Sequence, residues 1–250
     1  MGPPDDAPSV APAQAVSSGV LAGTSGFAFA EWKGGFYPED LKADRLLAFY
    51  GERLPTVEIN VSFYRMPTTK MLEDWKAQTP PPFRFAIKAH RRITHIKRLH
   101  DVDDEMRWLY ERVTELGERL GPVLFQLPPS LKADLALLEN FLATLRPLPY
   151  VAMEFRHQTW HQDATYELLR RYRVALCIAE DEKSCEPLVH TAPFGYYRLH
   201  RLHYTEAQLE GWADHLRSAA QIRPAFCYFT HETGPEAVFY ARRLMDLMRG

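Results

Sequence analysis

Apolar side chains along this chain gather in short continuous runs. The eight runs span residues 20–24, 55–60, 83–88, 122–126, 151–156, 174–178, 195–200 and 225–230. Short apolar runs bounded by turn residues are typical of strands buried on both faces in a parallel sheet. Each run also ends at or near a polar side chain, and the carboxyl ends of parallel strands are where (β/α)8 barrels carry their active sites.

Between the runs, the apolar period changes to that of amphipathic helices. Residues 104–120 show the pattern most clearly, and residues 205–208 have the composition of a capping box. This alternation predicts an α/β fold, a single (β/α)8 TIM-type barrel over residues 19–250. The stretch 178–195 lacks a helical period, so the sixth crossover is predicted to be irregular.

An open, doubly wound sheet is the alternative architecture. That fold predicts a glycine-rich phosphate-binding turn after the first strand, followed at once by a helix. Here the first strand leads into Gly23-Thr-Ser-Gly26 and then into aromatic residues, with no helical pattern for nearly twenty positions. The comparison favours the barrel.

Composition narrows the class of protein. A length of 250 residues matches one barrel, and the net charge of −2 gives no overall attraction to nucleic acid or membrane. No apolar stretch approaches the roughly 20 residues needed to cross a bilayer, so no membrane association is expected.

Cysteine usage and the first residues bear on location. The three cysteines form no CxxC pair, and an odd count indicates a reducing compartment, which predicts a cytoplasmic protein. Residues 1–18 are rich in Pro and Ala and lack the apolar core of a signal peptide, so they are predicted to be a disordered tail.

Polar side chains at the strand ends alternate, so that residues two positions apart share a face. The pairs are Glu58 with Asn60, Glu154 with Arg156 and Arg198 with His200, and Lys88, Gln126 and Tyr228 come from further strands. If these ends face the barrel mouth, carboxylates, guanidiniums and an imidazole converge there, which favours an active site. The alternative is a set of buried ion pairs that only stabilises the barrel.

A basic run follows the third strand. It extends from Lys88 to His100 and contains His95 among several arginines and lysines. Such groups bind phosphates or carboxylates through paired hydrogen bonds and point charge. A solvated surface loop is the alternative interpretation.

Aromatic residues follow the first two strands, with Trp32 in the first group and Tyr64 in the second. Their rings suit stacking on sugars or bases, while an apolar plug that closes the barrel is the other interpretation.

A metal site is one further possibility, because Glu58, Glu154, His200 and His231 are residue types that bind divalent metal ions. No HExxH motif occurs, and the neighbouring arginines would repel a cation. We predict no metal, and the sequence identifies no cofactor.

Together these segments resemble the YecE-like family, also named domain of unknown function 72. The matching stretches are residues 23–26, 32–38, 57–64, 85–88, 93–95, 123–129, 154–160 and 198–200. The resemblance implies a (β/α)8 barrel whose motif residues are Glu58, Asn60, Lys88, His95, Gln126, Glu154, Arg156, Arg198 and His200. It implies no particular activity or substrate. This chain departs from the family pattern at Arg201, where Gly is frequent, and at Thr230-His231, where an Asn pair is frequent.

The leading hypothesis is an enzyme that uses acid–base chemistry on an anionic substrate bearing a phosphate or carboxylate. Glu58 or Glu154 is expected to be the general acid or base, and His95 and His200 to move a proton. The predicted substrate-binding residues are Asn60, Lys88, Gln126, Arg156, Arg198, Trp32 and Tyr64. Two alternatives stay open: a nucleic-acid-binding or phosphodiester-processing barrel, and a non-catalytic ligand-binding barrel. Nothing in the sequence indicates an oligomeric state.

Overall fold

The computed structural model describes residues 19–145, 148–230 and 234–250, so the predicted tail over residues 1–18 lies outside the described residues. Eight parallel strands form a closed barrel in chain order, and the last strand pairs with the first. The strands are β1 (Val20–Ser25), β2 (Thr56–Ile59), β3 (Arg84–Lys88), β4 (Leu120–Gln126), β5 (Val151–Glu154), β6 (Ala175–Glu180), β7 (Gly195–Leu199) and β8 (Ala225–Phe229). The predicted (β/α)8 barrel is confirmed.

Within the described residues, seven α-helices lie between and after the strands. They are α1 (Leu46–Gly51), α2 (Thr69–Gln78), α3 (Asp103–Val113), α4 (Leu135–Ala143), α5 (Asp163–Arg171), α6 (Glu206–Ser218) and α7 (Glu236–Leu247). The capping box predicted before α6 is confirmed, because the Thr205 hydroxyl accepts from the backbone of Gln208 while the Gln208 side chain accepts from the backbone of Thr205. In the part of the chain that the structure describes, no helix is long and apolar enough to cross a bilayer.

Alternation along each strand produces two apolar layers. Outward residues such as Val57 and Phe85 join the main core between the sheet and the helices. Inward residues such as Ala86, Leu124 and Tyr196 form a second cluster that fills the barrel interior. The interior is therefore packed with side chains, as in other TIM barrels, and any chemistry must take place at its mouth.

The sixth crossover is irregular, as the sequence predicts. Residues 181–194 contain no helix; instead the Asp181 carboxylate accepts hydrogen bonds from the backbone of Lys183 and Ser184. Farther along, the Thr191 hydroxyl lies 2.7 Å from the backbone nitrogen of Leu176 and 2.6 Å from the carbonyl oxygen of Val174. Side-chain hydrogen bonds thus hold this segment against β6 in place of helix packing.

The helix α3 is shorter than the stretch of sequence that shows a helical period of apolar residues. The period over 104–120 suggests a single helix, but α3 ends at Val113 and continues as a 3-10 segment. Gly117 has φ +56, outside the helical region, and the chain then enters β4 at Leu120. Glycine tolerates this conformation at little cost, so the backbone turns there although the side-chain pattern continues.

Candidate active site at the barrel mouth

The charged residues at the mouth continue the inward-facing rows of the barrel interior. Lys88 lies two positions after the inward Ala86, and Arg198 lies two positions after the inward Tyr196. The same spacing brings Gln126, Glu154 and Glu58 to the carboxyl ends of β4, β5 and β2. A period of two therefore places these side chains on one level above the apolar interior.

Arg198 joins two carboxylates across this level. Its Nη2 and Nε donate to the two oxygens of Glu58 at 2.9 and 3.0 Å, and its Nη1 donates to Glu154 Oε2 at 2.7 Å. The Tyr196 hydroxyl completes the group at 3.3 Å from Glu58 Oε2. Burial opposes the charge of Arg198, but the two carboxylates outweigh it and raise the pKa of its guanidinium further above the usual range. We call Glu58, Glu154 and Arg198 the ion-pair frame.

Glu154 receives more donors than Glu58 does. Gln126 Nε2 lies 2.9 Å from each of its oxygens, and Arg156 Nε lies 2.5 Å from Oε1. Burial works against its ionisation, yet the charges of Arg198 and Arg156 and the amide of Gln126 lower the pKa of Glu154 to about 2. The carboxylate is therefore ionised at neutral pH, and Gln126 serves it as a supporting donor.

Arg156 differs from Arg198 in its exposure. Its side chain is 46% exposed against 5% for Arg198, and Nε supplies its hydrogen bond to Glu154. Its terminal nitrogens make no hydrogen bond to the residues that the structure describes. The Arg156 guanidinium is therefore fixed through Nε, while its two terminal nitrogens are available as hydrogen-bond donors.

Lys88 ends β3 beside this frame. Its ammonium lies 4.3 Å from the ring centroid of Phe63, and among the described residues it has no hydrogen-bond or ion-pair partner. Burial and the nearby charge of Arg198 lower its pKa to about 8, with Glu58 and Glu154 opposing the shift. A substantial part of this lysine is thus a free amine in the physiological range.

His95 lies on the other side of the basic run, in a π-helical turn (Arg92–Ile96). Its ring packs edge-to-face on Phe63 with centroids 4.8 Å apart, and its Nδ1 lies 2.9 Å from the Thr94 hydroxyl. Burial lowers its pKa first, and four cations lower it further: Lys88, Arg156, Arg91 and Arg98. The imidazole is therefore neutral near pH 7 in a surrounding of positive charge.

The backbone after this turn is strained. Arg98, Leu99 and Asp101 have φ values of 50°, 69° and 47°, which residues other than glycine rarely adopt. The Lys97 ammonium donates to the Asp101 carbonyl at 2.6 Å and stabilises the turn. Both π-helical turns and strained residues concentrate at functional sites.

Glu105 neutralises part of the basic run. Its carboxylate lies 3.3 Å from Arg92 and 2.8 Å from Lys97. Arg91 and Arg98 stay exposed, and Arg98 donates to the Ser130 hydroxyl at 3.2 Å. The run as a whole is a folded turn with three exposed arginines, of which only Arg92 pairs with Glu105, and its anion-facing role stays a prediction.

His200 and Asn60 follow β7 and β2 at the mouth, and His200 lies within reach of the charges of Arg198, Glu154, Arg156 and Lys88. His200 Nε2 is 3.4 Å from the Ser25 hydroxyl, and burial together with Arg198 lowers its pKa well below the usual value. Ser25 and Asn60 line an open cavity of about 390 Å³ whose other walls are largely apolar. Asn60 Oδ1 is buried and finds no donor within the described ranges. This cleft is a place where the uncharged part of a ligand fits.

The two aromatic candidates have opposite positions. Trp32 is fully buried and packs against Phe29, Phe36 and Tyr37, the arrangement that the apolar-plug interpretation predicts. Its role in substrate binding stays a prediction. Tyr64 is 68% exposed and packs against Phe63, so it remains accessible.

Comparisons with known proteins identify the family and the fold. The sequence model of the family described as "Protein of unknown function DUF72" matches residues 21–250. The chain belongs to the DUF72 family. Among curated proteins, UPF0759 protein YunF of Bacillus subtilis is 23% identical over 85% of this chain and 89% of its own length. UPF0759 protein YecE of Escherichia coli is 30% identical over 43% of this chain and 40% of its own length.

Solved structures of DUF72 proteins show the same fold. A DUF72 protein from Thermotoga maritima superposes with a TM-score of 0.82 at 26% identity, covering 92% of this chain and 99% of that one. A second from Enterococcus faecalis has a TM-score of 0.77 at 17% identity, covering 92% and 96%.

Two of the departures from the DUF72 pattern, Arg201 and Thr230, lie just after β7 and β8. Arg201 Nε is 3.0 Å from Glu180, and its Nη1 is 3.8 Å from Glu182, so this arginine turns toward the sixth crossover. The backbone nitrogen of Thr230 donates to the Leu199 carbonyl at 3.3 Å, while His231 lies outside the described residues. Among the described residues, no group of three or more His, Cys, Asp or Glu side chains gathers as metal ligands.

Sequence reasoning missed two contributors to this site: Ser25, which contacts His200, and Tyr196, which contacts Glu58. Phe63 belongs to the aromatic group predicted after the second strand, and the structure packs both Lys88 and His95 against its ring. Side-chain alternation, which places Arg198 and His200 on one face of β7, could also have identified Tyr196, because Tyr196 lies two positions before Arg198 on the same strand. The position of Phe63 depends on a 3-10 turn after β2 that has no sequence periodicity.

Proposed function

We propose that this protein is an enzyme that binds a small phosphate- or carboxylate-bearing substrate at the barrel mouth and performs acid–base chemistry on it. One arrangement carries the proposal: Lys88 and His95 both pack against the Phe63 ring, and the charges of Lys88, Arg156, Arg91 and Arg98 lower the pKa of His95. An anion gains both point charge and paired hydrogen bonds in such surroundings.

Arg156 is the group that we assign to the anion. Its Nε is held on Glu154 while its terminal nitrogens stay available, which orients the guanidinium toward the mouth. Arg198 supports the site differently, because three of its nitrogen atoms are engaged by Glu58 and Glu154. In this proposal Arg198 orients the two carboxylates and does not bind the substrate.

Proton transfer is assigned to Lys88 and His95 in preference to the two glutamates. A carboxylate with a pKa of about 2 is a weak base and has no proton to donate at neutral pH, as at Glu154. Both oxygens of Glu58 accept from Arg198. A lysine whose pKa is lowered to about 8 titrates near neutral pH, and a histidine whose pKa is lowered is a neutral imidazole that can accept a proton.

Binding is tested by thermal unfolding with inorganic phosphate, a triose phosphate and a 2-hydroxy acid. An anion at a hundred times its Kd adds about 2.7 kcal/mol. For a chain of this length, that raises Tm by roughly 5 to 10 °C. Arg156→Met is expected to abolish the rise. Arg171→Met is the matched control, because Arg171 pairs with Glu139 on the helical surface. An equal rise in both variants would exclude Arg156 as the anion-binding group.

Turnover separates an enzyme from a non-catalytic binding barrel. The protein is incubated with a mixture of phosphorylated and carboxylated metabolites, and their consumption is followed by mass spectrometry. Depletion of one compound by wild type, lost in His95→Gln, supports catalysis. Binding without depletion of any bound compound would support the ligand-binding alternative.

Nucleic-acid binding is the second candidate, and the exposed ring of Tyr64 supports it. His90 Nε2 lies 3.1 Å from the Tyr64 carbonyl oxygen, which joins that ring to the basic run with its exposed Arg91. This candidate predicts that affinity for a short oligonucleotide falls steeply with salt. Glu105 weakens it by neutralising Arg92 and Lys97.

A further inference from the structure

The surroundings of Lys88 are those of a nucleophilic amine. The ammonium lies over the Phe63 ring and has no hydrogen bond or carboxylate contact among the described residues, although Glu58 stands on the adjacent strand β2 and Glu154 on β5, one strand beyond β4. Both carboxylates are already committed to Arg198. The frame therefore leaves Lys88 as an unpaired cation whose side chain is largely removed from water.

This arrangement favours loss of the proton from Lys88. An apolar ring replaces water on one side, and the guanidiniums of Arg198 and Arg156 repel its charge. With a pKa of about 8, roughly one-tenth of the lysine is free amine at pH 7, against about 0.03% for a lysine of ordinary pKa. Desolvation and a neighbouring cation are the two ways in which lysine nucleophiles are activated in Schiff-base enzymes.

We propose that Lys88 forms an imine with an aldehyde or ketone group of the substrate, so that the anionic substrate is a carbonyl compound. The inference rests on the proposed function, in which Arg156 holds the anionic group. It adds the second functional group of the substrate, a carbonyl at the position that Lys88 reaches.

The chemistry needs only groups that are present. The lone pair of the neutral Lys88 amine adds to the carbonyl carbon, the carbonyl electron pair moves to oxygen, and a proton moves from nitrogen to oxygen to give a carbinolamine. The hydroxyl then leaves as water after receiving a proton, and the nitrogen lone pair forms the C=N bond of a protonated imine. Counted from the neutral amine, the reaction consumes one carbonyl, one amine and one proton and releases one water; the proton is the one that the Lys88 ammonium gives up when it becomes the free amine.

His95 is placed to handle the proton. Its ring shares the Phe63 surface with Lys88, and Nδ1 is bonded to the Thr94 hydroxyl, which leaves Nε2 for the carbinolamine. The protonated imine then acts as an electron sink for reactions at the adjacent carbon. Substrates bearing both a carbonyl and an anionic group include oxo acids and sugar phosphates.

Trapping by reduction tests the proposal directly. The full-length protein is incubated with glyoxylate, an aldehyde carrying a carboxylate, or with dihydroxyacetone phosphate, and sodium cyanoborohydride is added to reduce any imine to a stable amine. Peptide mapping then locates the added mass. We expect Lys88 to be modified at least about tenfold faster than the exposed Lys70 at pH 7, because its free-amine fraction is larger.

Variants and pH supply the controls. Lys88→Arg keeps the charge and removes the nucleophile, so it should lose the selective adduct. Lys70→Arg should keep it. The labelling rate of Lys88 should rise with pH and level off above about 8, whereas that of Lys70 should still be rising there.

The outcomes distinguish this inference from the proposed function. If anions raise Tm but Lys88 is labelled no faster than Lys70 by either probe, the imine is refuted and the anion site stands. If Lys88 is labelled selectively and equally in wild type and Arg156→Met, the imine stands and the assigned anion contact fails. If neither effect is seen, both proposals fall.

Discussion

Replacing Arg198 by Met should destabilise the protein strongly, because it leaves two carboxylates buried together. The side chains of Glu58 and Glu154 are 0% and 1% exposed, and Arg198 binds both at 2.7 to 3.0 Å. Removing one member of a buried ion pair typically costs about 3 to 5 kcal/mol. The cost is limited because a carboxyl can instead take up a proton, which at pH 7 costs about 3 kcal/mol for a group of normal pKa.

The matched control is Arg156→Met, which removes a second arginine from the same carboxylate. Arg156 is 46% exposed, so solvent screens its charge and replaces its hydrogen bond. Its loss should cost no more than about 1 kcal/mol. Both variants replace an arginine that binds Glu154 by methionine, so the difference between them measures the effect of the arginine's burial.

Urea denaturation at pH 7 measures both variants, followed by a series down to pH 4. In wild type, the pKa of Glu154 is lowered to about 2, so its contribution is fully present above its usual pKa and is lost as pH falls toward 2. In Arg198→Met the orphaned carboxyls are protonated more readily, so the difference from wild type should shrink with acid. A cost below about 1 kcal/mol at pH 7, or equal costs for the two variants, would refute the ion-pair frame as a stabilising unit.

Three further predictions concern the plug, a turn and Lys88. Trp32→Ala should cost about 3 to 5 kcal/mol in urea denaturation, because the ring is fully buried; an unchanged stability with lost anion binding would support its role in ligand contact. Gly117→Ala should cost about 1 kcal/mol, since φ is +56 and no atom lies within 4 Å of the added carbon, so that only backbone strain is introduced; a neutral effect would contradict this. Lys88→Met should stabilise the protein by about 1 kcal/mol at pH 7, because the fold disfavours the charged amine. That gain should vanish as pH rises from 8 toward 10.5, and a loss of stability at pH 7 would show that the ammonium is well solvated.

The sequence alone determined the barrel and the membership of its upper layer. Buried parallel strands need continuous apolar runs, and a period of two assigns every second side chain to the interior. Glu58, Glu154 and Arg198 could therefore be placed together at the mouth. The absence of a helical period over residues 178–195 likewise predicted the irregular sixth crossover. The net charge and the composition are compatible with an enzyme and with a binding protein.

Only the tertiary structure decided which charges are paired. Arg198 reaches both Glu58 on β2 and Glu154 on β5 because closure of the barrel brings those strands to opposite sides of β7. Glu154 is thereby held ionised, and Lys88 has no ion-pair partner among the residues that the structure describes. Burial and through-space charge depend on the full three-dimensional packing, whereas side-chain alternation is local. For that reason the sequence predicts which charged side chains gather at the mouth, and the fold determines which of them are paired.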